Sequence, residues 1–257
     1  MAVIMQHVGL FVTLLAAYSL IAFVSSGAGG GSPAPREAWK ARLDEDRRYW
    51  SQWIDSRGLD WPDDYQRRLQ IAEIDEKFKG LVNPEVRAGR HAVRILDAGA
   101  GPMTSLGSVW MGKLLDLRAC DPLAQEFAKT LRSHNIVPPV RTLFAELEHL
   151  SLVFARNFFD LVIVREAVDR SYDPVRALRE ALKVARVNGT VWLGHKAHGG
   201  LVANYLGTRM WNVDLWEGHP VIWNAHALHN LTELFSDQAI VASKSSGDWV
   251  EVLFVKR

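Results

Sequence analysis

Ile95-Leu96-Asp97-Ala98-Gly99-Ala100-Gly101-Pro102 is an apolar run that ends on a carboxylate and breaks into two glycines spaced Asp-x-Gly-x-Gly. A short continuous apolar run reads as a buried strand. Glycines directly after such a strand let the backbone turn and approach a ligand closely. The third glycine of the dinucleotide fingerprint is missing, because Thr104 stands in its place, and a charged residue precedes the loop. Both departures argue against a pyrophosphate, and so against a nicotinamide-dependent oxidoreductase. About 20 residues past Gly101, Asp121 follows a second strand, where a carboxylate takes the hydroxyls of a ribose. Glu146 follows a third. Three acidic residues at the carboxyl ends of three successive strands surround the crevice where open α/β sheets bind ligands.

Outward from the loop, strand and helix signals alternate. Strands are expected over 93–96, 117–120, 140–144, 159–164 and 190–193, and helices over 122–134 and 174–186. The second helix is the clearer: Asp173 caps it, Pro174 takes its first position, Val175, Leu178, Leu182 and Ala185 form its stripe, and Asn188-Gly189 ends it. This alternation predicts an α/β, doubly wound, mostly parallel sheet. Two runs, 239–243 and 250–255, joined through Ser-Ser-Gly-Asp, predict a closing antiparallel hairpin. Upstream, Trp39, Leu43, Trp50, Trp53 and Ile54 share one face of an expected helix over 36–54. Asp60 is the expected N-cap of a further helix that has Pro62 just inside and carries Tyr65, Leu69 and Ala72.

The loop, Asp121 and Glu146 together resemble a class I S-adenosylmethionine-dependent methyltransferase, over about residues 91–257. The resemblance implies a seven-stranded sheet whose final strand is antiparallel, and S-adenosyl-L-methionine as cofactor. It also implies that Asp97, Gly99 and Gly101 hold the methionine end, Asp121 the ribose, and Glu146 a place beside the adenine. A narrower likeness is to a bacterial-type subgroup with an aromatic preface, here Tyr49-Trp50-Ser-Gln-Trp53. The chain keeps Asp169, Ser171, Asp173, Pro174, Gly207, Trp211, Asn212, Ile222 and Trp223 of that pattern. It departs at Glu166, Arg170 and Arg209-Met210. The cofactor half of the pattern is therefore kept and the acceptor half altered.

Methyl transfer from a sulfonium is an in-line displacement that needs alignment in a dry site and, for an oxygen or nitrogen acceptor, removal of a proton. Candidate catalytic residues are Glu166, Asp169 and His195, with Asp169 orienting the acceptor and Glu166 or His195 taking its proton. Arg170 and Arg209 would add positive charge and favour an acceptor with carboxylate or phosphate character. Two readings of the whole stand side by side: a methyltransferase acting on a small molecule or glycan, or an inactive relative that serves as an interaction module.

The remaining signals bound the context. The 257 residues carry 30 Lys plus Arg against 29 Asp plus Glu, so bulk charge gives no reason to expect nucleic acid as a partner. The single cysteine, Cys120, rules out an internal disulfide and a cysteine zinc site, and no metal ligand set is expected. Residues 2–24 hold no Asp, Glu, Lys or Arg, long enough as a helix to cross a bilayer, and 25–35 form a Gly/Ser/Pro linker. The expected organisation is a transmembrane anchor or signal segment over 1–24, the linker, a helical preface over 36–90 and the catalytic domain over 91–257. Arg36, Lys40, Arg42, Arg47 and Arg48 follow the apolar span and none precedes it, which places the domain in the cytosol, with a lumenal or secreted domain as the alternative.

Overall fold

The computed structural model describes residues 36–84 and 92–257. The expected anchor and linker therefore lie outside the described residues. Among the described residues no helix is long and apolar enough to cross a membrane.

The strands, in chain order, are β1 (Arg94–Ala98), β2 (Val109–Trp110), β3 (Lys113–Leu114), β4 (Asp116–Asp121), β5 (Thr142–Phe144) and β6 (Phe159–Arg165). They continue with β7 (Ala185–Lys196), β8 (Asn212–Trp216), β9 (His219–Trp223), β10 (Leu228–Asn230), β11 (Ala239–Ser246) and β12 (Trp249–Lys256). The helices used below are α1 (Arg36–Asp55), α2 (Pro62–Arg68), α3 (Glu76–Leu81), α4 (Ala124–Ser133), α5 (Leu150–Val153), α6 (Pro174–Val184) and α7 (Gly199–Val202).

Seven strands form one sheet in the order β11-β12-β7-β6-β1-β4-β5. The five from β7 to β5 are parallel neighbours. β12 runs antiparallel to both β7 and β11, so the expected α/β sheet with an antiparallel final strand is present. From β1 the chain builds one way through β4 and β5, then returns to place β6 and β7 on the other side. That reversal is the point at which such sheets open a crevice at their carboxyl ends.

Alternation along each strand divides the core between the two faces of the sheet. Leu96, Val162, Val164, Val191 and Leu193 enter one cluster with Leu178 and Leu182 of α6. Their neighbours Ile95, Leu161, Ile163 and Trp192 enter a second with Phe78 of α3. β6 is buried from Phe159 to Val164 without interruption, the pattern of a central parallel strand covered on both sides.

The helix after β6 begins as expected: the Asp173 side chain accepts from the Arg176 N–H at 2.9 Å and Pro174 fills the first turn. Its end differs. The helix stops at Val184 and β7 starts at Ala185, because a register shift between Phe159 and Leu161 lets Asn188, at φ 60°, loop out while the chain is already paired with β6. The second preface helix is also shorter than expected. Trp61, not Asp60, occupies its N-cap position, where its N–H donates to the Gly58 carbonyl at 2.8 Å, and Ala72 falls beyond the helix. The β10-β9-β8 sheet and the β2–β3 hairpin have no counterpart in the sequence reading.

Candidate functional site

A cavity of about 600 Å³ opens at the carboxyl ends of β1, β4 and β6. Its floor is the glycine loop. Gly99 and Gly101 have φ of 81° and 68°, a region that a residue with a Cβ adopts only under strain. A Cβ at Gly99 would strike Ala167, and one at Gly101 would lie 2.8 Å from the Trp50 ring. Thr104, which replaces the third glycine, donates its hydroxyl to Asp97. Burial pushes the Asp97 carboxyl above the usual range, with the Thr104 hydrogen bond opposing.

Asp121 ends β4 and lies on the cavity wall. One of its oxygens accepts from the Gly101 N–H at 3.1 Å and the other from the Leu123 N–H at 2.9 Å. The carboxylate thus braces the loop and still has lone pairs to offer a ligand. Burial pushes it up to about 6, against those two N–H bonds.

Glu146 is not among the residues that line the cavity. Arg36 of α1 forms an ion pair with it, Nε lying 2.7 Å from Oε2, and His149 Nδ1 and the Tyr172 hydroxyl stand 3.1 and 3.3 Å away. Burial alone would raise its pKa, but Arg36 prevails and holds the carboxyl below its ordinary value. The acid that does reach the wall is Glu148, two residues on, which accepts from the Tyr172 N–H at 2.8 Å and is pushed by burial up to about 7.

Helix α1 forms one side of the cavity. Trp39, Leu43, Asp46 and Trp50, at spacings of three and four, all face it. Trp39 Nε1 donates to the Arg170 carbonyl at 2.7 Å. Asp46 takes both the Arg170 guanidinium and the Thr208 hydroxyl, so a single carboxylate joins α1 to two loops of the body. Asp46 and Glu148 were not singled out from the sequence. A carboxylate in the middle of the aromatic stripe of α1 was a readable signal for the first.

The three candidate catalytic residues separate. Glu166, immediately after β6, lines the cavity and holds φ at 47°, with its N–H donating to the Gly194 carbonyl at 2.9 Å. Asp169 and His195 lie behind the wall, 2% and 1% exposed, and neither lines the cavity. Asp169 Oδ2 accepts from Arg209 at 2.9 Å. Its Oδ1 stands 3.7 Å from His195 Nδ1, too far for a hydrogen bond, and Oδ1 and His195 Nε2 have no partner among the described residues. Burial lowers the pKa of His195, although Asp169 opposes it, which keeps the imidazole neutral near pH 7. The positive charge expected of Arg170 and Arg209 is compensated, since each has its own carboxylate in Asp46 and Asp169.

The wall suits a cationic nucleoside cofactor: a glycine floor without room for side chains, a carboxylate at the end of β4, and more carboxylates than guanidiniums around the space. Residues 96–193 match the sequence family described as a methyltransferase domain. Residues 96–193 are thus a methyltransferase domain, and its cofactor is S-adenosylmethionine. No curated protein sequence matches it. Among solved structures, it is similar to a chain of the complex between the Haloferax volcanii Trm112 methyltransferase activator and a methyltransferase. That likeness has a TM-score of 0.52 at 14% identity and covers 84% of this chain and 96% of that one. A Thermotoga maritima S-adenosylmethionine-dependent methyltransferase, possible histamine N-methyltransferase, aligns at 14% identity and TM-score 0.47, over 84% and 99% of the two chains. The CMeT domain of the citrinin polyketide synthase aligns at 14% identity and TM-score 0.46, over 64% of this chain and 46% of that one. This chain thus spans about half the length of that last one. At these identities the likeness is one of fold. Within the fold, Asp97, Gly99 and Asp121 stand on the wall, Gly101 lies under Trp50, and Glu146 is held by Arg36.

Proposed function

We propose that this enzyme transfers the methyl group of S-adenosylmethionine to an oxygen or nitrogen acceptor on a small molecule or glycan, and that Glu166 accepts the acceptor's proton. The observation that carries this reading is the place of Glu166. It is the one of the three candidate catalytic side chains that reaches the cavity, and it leaves β6 at the reversal of strand order in a left-handed conformation that costs about 1 kcal/mol or more. The cofactor supplies a methyl carbon that is already electrophilic. Asp97, Gly99 and Asp121 would hold it, with Gly101 bracing the loop through its N–H to Asp121. What remains for the protein is alignment and exclusion of water, for which Trp39, Leu43 and Trp50 close the α1 side. In this reading Asp169 and His195 are positioning residues: Asp169 fixes Arg209 in the wall, and neutral His195 packs beneath it.

We further propose that the apolar segment at 3–24 anchors the enzyme in a membrane with the domain on the cytosolic side, where the cofactor is made. The Arg and Lys excess from Arg36 onward supports it. Carbonate extraction and protease protection test the anchor and its orientation separately. For the reaction, the full chain is incubated with methyl-labelled cofactor and fractionated extract, and the labelled product is identified. A labelled product that the parent forms and Glu166→Gln forms roughly 10² times more slowly is the expected result. An equal rate for the two would remove Glu166 from the mechanism, and no label transfer with any fraction would favour the interaction-module reading.

A further inference from the structure

The mouth of the cavity differs from its floor. Leu206 lines the cavity and is nonetheless 65% exposed, Tyr49 lines it at 46%, and Val202, next to the lining residue Ala203, is 79% exposed. Leu206, Tyr49 and Leu43 make an apolar rim where the loop after α7 faces α1. An exposed apolar rim continuous with a ligand cavity marks a surface that meets something apolar.

The charges of the same region narrow what that is. Arg170 and Arg209 each have a carboxylate of their own, and the Asp169 and Asp46 side chains that hold them are only 3% and 14% exposed. Arg68 is paired with Asp64 and donates to the Met103 carbonyl. Arg165, the remaining arginine of the wall among the described residues, lies over the Trp249 ring at 5.8 Å and is next in sequence to Glu166. By contrast the carboxylates of Glu45, packed against Gly207 at the mouth, and Glu166 hold no ion pair among the described residues. With Arg170 and Arg209 neutralised and two carboxylates unpaired against Arg165, this wall offers an anion little net attraction. A permanent cation would compete with the sulfonium for the same carboxylates.

We propose that the acceptor is a neutral amphiphile, with a hydroxyl or amide-bearing head that reaches Glu166 and an alkyl chain that leaves along Leu43, Tyr49 and Leu206. The inference rests on the methyl-transfer reading above and deepens it by naming the acceptor class. It replaces the acidic acceptor expected from Arg170 and Arg209, because both are already neutralised within the protein.

The test uses the full chain saturated with S-adenosylhomocysteine, titrated calorimetrically with three probes below micellisation: octyl glucoside, octanoate and octyltrimethylammonium. Saturation by S-adenosylhomocysteine is read first; if it does not bind, the methyltransferase reading of the cavity fails, and the acceptor proposal falls with it. With the cofactor product bound, octyl glucoside should bind at least tenfold more tightly than either charged probe. Its affinity should fall about fourfold for each methylene removed from the chain. Leu206→Asp, at an exposed position that leaves the core untouched, should weaken the glucoside tenfold or more without changing S-adenosylhomocysteine affinity. Asp46→Asn, which frees Arg170, should raise the affinity for octanoate. Equal or tighter binding of octanoate by the parent, or glucoside binding unchanged in Leu206→Asp, would overturn the proposal.

Discussion

Replacing Asp121 by alanine removes two kinds of hydrogen bond at once, and they can be measured apart. In the free protein the carboxylate accepts from Gly101 and Leu123, both in buried surroundings. Leaving two buried N–H groups without partners costs about 1–3 kcal/mol each. For a domain of this size, 1 kcal/mol moves Tm by about 2–4 °C, so Asp121→Ala should lower Tm by roughly 4–24 °C. Loss of the contacts to a ribose diol adds a separate effect of about 1.5–3 kcal/mol, or roughly ten- to hundredfold in affinity for S-adenosylhomocysteine. Isothermal calorimetry with S-adenosylhomocysteine and its 2′-deoxy analogue separates the two. The parent should lose affinity for the deoxy ligand, and the variant should bind the two ligands alike. Burial has pushed Asp121 up to about 6, so the affinity of the parent should also decline as pH falls through 6, whereas that of the alanine variant should not decline there. If the variant discriminates against the deoxy ligand as strongly as the parent, Asp121 does not take the ribose and the reasoning fails.

Glu148 supplies a second pH test. Its pKa, raised by burial from 4.5 to about 7, means that its contribution to stability is complete below 4.5 and is lost as pH rises through 7. Glu148→Gln should therefore gain on the parent in denaturant unfolding between pH 5 and 9, by at most about 3 kcal/mol, and a constant difference would contradict the burial argument. Thr104→Val removes a hydrogen bond to a buried carboxylate and should destabilise the fold by about 1–3 kcal/mol, read as a shift in the urea midpoint. Trp50→Ala uncovers Gly101 and should speed release of S-adenosylhomocysteine in stopped-flow fluorescence more than it lowers the rate of any single turnover. Unchanged release would mean that α1 does not restrain the ligand.

The sheet and the stretch of cavity wall formed by Asp97, Gly99 and Asp121 were legible because their signals are local. Ile95 to Gly101 carries a strand and its turn within seven residues, and Asp121 announces itself by distance from the loop. The acceptor half was not legible, for a physical reason: its charges are set by pairs far apart in the chain. Arg170 meets Asp46 across 124 positions and Arg209 meets Asp169 across 40, so each arginine reads in the sequence as a free cation. Glu146 misled in the same way, because its partner Arg36 is 110 positions away. The three-stranded sheet from β8 to β10 escaped notice because its strands are short and carry His, Trp and Asn in place of a clear period-two pattern.

The strand order also dictates a sequence of events. β11 touches the sheet only through β12, which is made after it and must slide between β11 and β7. Until residues 249–256 are in place, β7 therefore has one unpaired edge and β11 has no strand of the sheet beside it. During that interval the molecule presents β7 and β11 to any other chain that can donate a strand. β12 pairs with both at once, so the open edge passes from the central β7 to the outer side of β11.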